Sequence, residues 1–225
     1  MLPRAAGARE YLDQPVSPAD RDATLADIHR LNVWFRGYRL TERAIDRLTA
    51  RQSRAETLWV IDVGGGRGDL ARRLVGRARG RGRRLRAIVV DCAVDGAGPP
   101  GEGVTLIRAD ATALPFRPQA AHVVTTSLTL HHLEPAAAVQ CLREMRAAAR
   151  LGVVVNDLLR TRLVLALVWL ATRAVTRHRF ARHDGPLSVR RAYSPSELRS
   201  LAAAAGLAPP VIRRHPWWGR LVAVL

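Results

Sequence analysis

The chain has no lysine: every one of its 36 basic residues is an arginine. Schiff-base chemistry and a lysine-bearing phosphate loop both need a lysine amine, so both are excluded. Cysteine is nearly as scarce. Cys92 and Cys141 show no metal-ligand spacing and make no disulfide framework in 225 residues. They read as small apolar residues, so no metal is expected and reducing cytoplasm is the expected compartment. Aromatics are 5% of a chain that is 48% hydrophobic. The core must then be Ala, Val and Leu, which suits a sheet covered by helices. Met1 to Glu10 contains no apolar segment, so no signal peptide is expected. The apolar run from Leu163 to Ala171 is nine residues long; a spanning helix needs about 20, so no transmembrane segment is expected.

What is abundant is positive charge, a net +17. Nucleic acid, an anionic membrane surface and an acidic substrate all fit it. So does plain compositional bias toward arginine. The densest cluster, Arg72, Arg73, Arg77, Arg79, Arg81, Arg83, Arg84 and Arg86, runs from a helix into a strand. That places it at the edge of the sheet opposite the strand ends that bind ligands, and it reads as a solvated face.

Residues 1–16 show no periodic pattern and read as a loose arm. Ser17-Pro18 with Asp20 starts a helix carrying Leu25, Ile28, Leu31 and Phe35, and a second helix presents Leu40, Ala44, Ile45 and Leu48. Short apolar runs then alternate with helical patterns: strands near 58–61, 85–90, 104–107, 123–126 and 151–155, with helices over 69–79 and 135–149. This rhythm predicts a doubly wound, mostly parallel sheet. A helix opening at Ser194 and a final hairpin, near 210–214 and 220–225, close the chain. Between Asp91 and Val104 the segment is short and rich in Gly and Pro, so a crossover helix is expected to be lost there.

The first strand runs into Asp62-Val63-Gly64-Gly65-Gly66-Arg67-Gly68. Its glycines permit positive φ and let a ligand lie against the backbone. Asp91 ends the second strand, where a carboxylate can accept from a ribose diol. Asp110-Ala111 follows the third strand, where an adenine edge can be read. Acidic residues at three adjacent strand ends are far more specific than the loop alone.

Val60 to Leu70, then Asp91, then Ala109 to Phe116, and finally Ser127-Leu128-Thr129-Leu130-His131-His132-Leu133 together resemble the motif series of class I S-adenosylmethionine-dependent methyltransferases. The resemblance covers about residues 57–156. It implies a Rossmann-like α/β fold: a mostly parallel seven-stranded sheet with an antiparallel C-terminal strand and a helical cap. It implies S-adenosylmethionine as cofactor, with Asp62, Gly64, Gly65 and Gly66 at the methionine end and Asp91 at the ribose. Asp110 and Ala111 would lie at the adenine and Ser127 near the methionine amino group. Cys92 belongs to this set through its neighbour, although the short linker after Asp91 departs from the family pattern. Val155-Asn156-Asp157-Leu158 and Arg182 to Tyr193 are similar to a bacterial group associated with type III polyketide synthases, which methylates phenolic lipids or related polyketides.

On this reading residues 1–56 are an N-terminal helical region and residues 57–225 the methyltransferase domain, with a cap inserted at 157–193. The cap is expected to be a Leu- and Val-rich helix followed by an Arg- and His-rich return loop. Its apolar face, Leu167 and Trp169 included, would line an acceptor pocket, while core packing and lipid contact remain open for the same run. His131 and His132 could take a proton from a phenol or could merely shape the pocket. His183-Asp184 could be an oriented acid–base pair or part of a turn, since Asp-Gly-Pro is strong turn chemistry. The expected activity is methylation, preferably at oxygen, of a small apolar phenolic, polyketide or lipid acceptor by a monomer or homodimer. Peripheral membrane contact stays open, and no specific nucleic acid is expected. The alternatives are an RNA or DNA methyltransferase and a non-catalytic regulatory partner with a cofactor-binding fold.

Overall fold

The structure, a computed structural model, describes residues 2–93, 101–176 and 178–225. The expected loss of a crossover helix after Asp91 falls largely on residues 94–100, outside the described residues.

Seven strands form one sheet: β1 (Leu58–Val63), β2 (Leu85–Asp91), β3 (Val104–Arg108), β4 (Ala121–Ser127), β5 (Ala149–Leu158), β6 (Val211–His215) and β7 (Arg220–Val224). Their spatial order is β3-β2-β1-β4-β5-β7-β6. The first five run parallel, and β7 inserts antiparallel between β5 and β6. The C-terminal ends of β1 to β5 therefore share one edge. In register across that edge lie Asp91 beside Arg108 and Ser127 beside Asn156.

Alternate strand residues feed opposite faces. Ile61, Val63, Val124, Val153 and Val155 join one core with α4 (Pro135–Ala148) and α7 (Pro195–Ala204). Val60, Val123 and Val154 join the other with α2 (Gly37–Leu48) and α3 (Asp69–Arg79). This explains why the strands read as unbroken apolar runs: both faces are covered.

Local signals set the helix starts. Ser17 caps α1 (Pro18–Trp34) by accepting from the Asp20 N–H, and Ser194 with Glu197 forms a capping box on α7. Gly68 opens α3 at φ +77°.

The inserted region folds as α5 (Arg162–Val175) and α6 (Arg179–Arg191). The second half of the expected cap is thus a helix, not a return loop. Asp184-Gly185-Pro186 sits inside it because a Cβ at Gly185 would meet Thr172 Cγ2 at 2.7 Å, so the glycine lets α6 close on α5. Helix α1 packs on both cap helices. The N-terminal arm is not loose either. Ala5 donates its N–H to the Arg190 carbonyl and Arg4 Nε to that of Arg191, while Glu10 is buried. Among the described residues no helix is long and apolar enough to cross a membrane.

Candidate active site

The glycine loop leaves β1 at Asp62, which is buried. A Cβ on Gly65 would come within 2.7 Å of Asp62 Oδ2, and one on Gly64 within 2.2 Å of Thr129 Cγ2. The loop is therefore pressed both onto Asp62 and onto the segment after β4. Gly64 and Gly66 adopt φ +69° and +53°, which other residues rarely do. The Gly64 N–H donates to the Val90 carbonyl and the Gly66 N–H to Asp91 Oδ2 at 2.8 Å. The other Asp91 oxygen accepts from the Ala93 N–H. Cys92 is exposed, with its sulfur 3.8 Å from Asp91 Oδ1. Asp110 is exposed beyond β3, where Oδ1 accepts from the N–H and hydroxyl of Thr112, which hold its carboxyl below the usual range. Ala111 packs against the core beside it.

Among the described residues, Asp62 Oδ1 and Ser127 Oγ are buried here without a partner, as are the neighbouring Thr126 Oγ1 and Asn156 Oδ1. An unpaired buried polar atom costs about 1–3 kcal/mol. Burial first, and then the Asp91 and Asp69 charges, push the Asp62 carboxyl up to about 7. The sequence-predicted residues Asp62, Gly64, Gly65, Gly66, Asp91 and Ser127 thus lie at the C-terminal ends of β1, β2 and β4, with Asp110 and Ala111 past the end of β3 on the same edge.

Leu128 turns the chain at φ 57°, a conformation costly for a branched side chain. It leads from Ser127 into an apolar pocket whose free space, open mouth included, is about 640 Å³. Ile28 and Leu31 of α1, with Phe35 just past its end, form one wall, and Val168 of α5 with Ala181 and Gly185 of α6 form another. The polar end carries Glu10, His131, His132, Asp184 and Ser188. His131 is buried. Its Nδ1 lies 2.7 Å from Asp157 Oδ1, and its backbone N–H donates to Asp157 Oδ2. Burial works to raise the Asp157 carboxyl, but the His131 ring and the Leu158 N–H outweigh it and hold it low. His132 Nδ1 lies 2.6 Å from Asp13 Oδ1. Glu10 faces both rings, with Oε1 3.6 Å from His131 Nε2 and Oε2 3.8 Å from His132 Nε2. Burial lifts the Glu10 carboxyl to about 7, against His132, Ser188 and Arg191. The buried Arg220 donates from Nη2 to Asn32 Oδ1, while its Nε and Nη1 have no partner.

His183 and Asp184 do meet, at 2.8 Å. The His183 ring is half exposed and packs at a tilt against Tyr11, whereas Asp184 is buried in the pocket wall with Oδ2 unpartnered. The expected pocket role of Trp169 is corrected: its side chain is exposed, with Arg173 over its ring, and Val168 lines the pocket instead. Leu167 is not in the lining either. On α5, Val164 and Val168 are four residues apart and turn inward, which leaves Trp169 outside. Sequence reasoning missed Glu10, Asp13, Arg220 and the α1 wall. Only the amphipathic spacing of α1 offered a signal, and it did not say what that face meets.

Residues 60–152 match the model of a methyltransferase domain. Residues 60–152 thus form a methyltransferase domain, and the whole sheet has the Rossmann-like fold of S-adenosylmethionine-dependent methyltransferases. No curated protein matches the chain in sequence. Among solved structures, a candidate O-methyltransferase from Nostoc punctiforme superposes with TM-score 0.61 at 18% identity, covering 99% of this chain and 64% of that one. The apo form of the S-adenosylmethionine-dependent methyltransferase SibL gives 0.54 at 22% identity, covering 79% and 52%. A methyltransferase of Aquifex aeolicus gives 0.61 at 16% identity, covering 93% and 98%. The chain therefore spans less than two thirds of the first two, and the likeness is one of fold. In this methyltransferase domain the arginine cluster has partners within the chain. Arg72 pairs with Asp69, Arg73 with Glu42, Arg77 and Arg81 with Asp46, and Arg79 with Glu102. Arg83 and Arg84 donate to backbone carbonyls, and Arg86 lies over Trp59.

Proposed function

We propose that the protein transfers the methyl group of S-adenosylmethionine to a hydroxyl of a small apolar acceptor, a phenolic polyketide or lipid. The observation that carries this reading is the apolar pocket lined by Leu128, one residue from Ser127, and by Glu10, His131 and His132. Asp62 and Ser127 would take the methionine end, since their orphaned Asp62 Oδ1 and Ser127 Oγ suit a ligand amine. Gly64, Gly65 and Gly66 would let that end lie against backbone. Asp91, with Cys92 beside it, would take the ribose, and Asp110 with Ala111 the adenine. The cofactor supplies an electrophilic methyl on a sulfonium.

The chain's own contribution is alignment, with water kept out of the apolar walls. The acceptor's ring and tail would rest on Ile28, Leu31 and Val168, with burial worth about 0.8 kcal/mol per CH₂. Its hydroxyl would meet His131, His132 and Glu10. Asp184 would border it, with His183 holding Asp184 from outside. The unpartnered Arg220 nitrogens favour an oxygen-bearing acceptor over a plain hydrocarbon. Oligomeric state follows the same proposal as monomer or homodimer, with residues 1–56 acting as part of the acceptor-binding unit.

The test is purified protein with methyl-labelled cofactor against alkylresorcinols, quinols, fatty acids and RNA. Label on a phenolic oxygen is the expected result. Label on RNA at physiological salt, or on none of the acceptors, overturns it.

A further inference from the structure

Glu10, His131 and His132 come from two distant chain segments, yet their donor atoms all lie within 4.8 Å of one another. The two Nε2–carboxylate separations, 3.6 and 3.8 Å, are too long for good hydrogen bonds. They are close to the spacing of about 3.3 Å that two ligands keep when each lies 2.0–2.1 Å from a tetrahedral ion. Both rings are also prepared for such a ligand role. Asp157 engages Nδ1 of His131 at 2.7 Å and Asp13 engages Nδ1 of His132 at 2.6 Å. A carboxylate on Nδ1 fixes ring orientation and the tautomer, and leaves Nε2 as the lone-pair donor; metal-bound histidines almost always have such a partner. Here two histidines have one each, and both Nε2 atoms turn to the same buried carboxylate.

Charge points the same way. Glu10, Asp13, Asp157 and Asp184 bring four negative charges when ionised, against two positive ones, from Arg191, which pairs with Glu10 and Asp13, and from Arg220 in the same pocket. A dication would balance the remainder. The unpartnered Oδ2 of buried Asp184, in the same pocket wall, adds acceptor capacity nearby.

We propose that Glu10, His131 and His132 bind one divalent transition-metal ion, of the zinc(II) type, at the polar end of the acceptor pocket. Two histidines and one carboxylate leave a coordination position open. That position faces the pocket. On the reading of the pocket given above, it takes the acceptor's hydroxyl oxygen, and the ion favours the deprotonated form. The hydroxyl proton leaves to water. The new O–CH₃ bond then forms as the S–CH₃ bond breaks, and the electron pair stays on sulfur as a neutral thioether.

The experiment is metal binding by untagged, chelator-stripped protein, read apart from activity. Cobalt(II) should bind once per chain with visible d–d bands of nitrogen and oxygen ligation, and zinc(II) should displace it. Glu10→Gln and His132→Ala should each weaken binding at least tenfold, while His215→Ala on β6 changes nothing. Calorimetry with S-adenosylmethionine shows whether each variant is folded. No saturable cobalt binding to the wild type, unchanged binding in folded variants, or a thiolate charge-transfer band from cysteine overturns the site. Methyl transfer measured in parallel separates the two readings: transfer without metal binding overturns only the site, and binding without transfer to any acceptor overturns only the function.

Discussion

The backbone N–H of Gly66 donates to Oδ2 of Asp91 over 2.8 Å. The glycine loop after β1 and the acidic end of β2 are thereby one unit, and a ribose placed on Asp91 would lie against Gly66. Asp91→Ala removes both the tie and the acceptor. Cofactor affinity should fall by about 1.5–3 kcal/mol, the range for hydrogen bonds to charged groups. Isothermal titration with equal affinity for the two proteins would rule out this placement.

Two glycines provide a paired test of the loop. Gly65→Ala should abolish measurable cofactor binding, because its Cβ meets Asp62 Oδ2 at 2.7 Å and Val89 Cγ1 at 2.8 Å. Gly76→Ala, in α3 with nothing near its Cβ, should instead stabilise the protein by roughly 0.5–1 kcal/mol and leave binding alone. Thermal melts and calorimetry on both variants read the contrast.

Asp62 makes stability depend on pH. Its folded pKa, about 7, lies above the ordinary 3.8. The folded state then holds a proton that the unfolded chain releases between those values. The contribution is fully present below about pH 4 and is lost as pH rises through about 7. Without cofactor, the wild type should lose roughly 2–4 kcal/mol more than Asp62→Asn between pH 4 and 8, since each tenfold difference in proton affinity is worth about 1.36 kcal/mol. Urea denaturation across that range measures it, and parallel curves for the two proteins would contradict it.

Acceptor preference should follow the pocket wall and not the outer face of α5. Val168→Arg, at a buried lining position, should raise KM for long-chain acceptors at least tenfold and leave cofactor affinity unchanged. Trp169→Ala, on an exposed residue beside it, should change neither. Steady-state kinetics with acceptors of graded chain length distinguish the two.

The sheet and the loops at its strand ends were legible because their signals are local. Val60 to Val63, with Asp62 inside it, announces a strand buried on both faces, and Gly64, Gly65 and Gly66 follow it without a break. Asp91 and Asp110 each end an apolar run. Parallel strands bring such ends to one edge whatever the rest of the chain does. Ser17 and Ser194 likewise start helices by contacts within four residues.

The apolar pocket was decided by tertiary structure. Glu10 sits in a segment with no periodicity, and its partners His131, Ser188 and Arg191 are more than 100 residues away. Nothing local marks it as buried. Asp184-Gly185-Pro186 has the chemistry of a turn, yet it is helical because Gly185 lets α6 approach Thr172 of α5. Along Leu163 to Ala171 every residue is apolar, so the run could not say which of its faces turns inward. Packing against α1 and α6 selected Val164 and Val168, and left Trp169 outside. Backbone hydrogen bonding and strand burial act over a few residues and are written in the chain. The meeting of the N-terminal arm, α1 and the cap depends on contacts that exist only once all three are folded on the sheet.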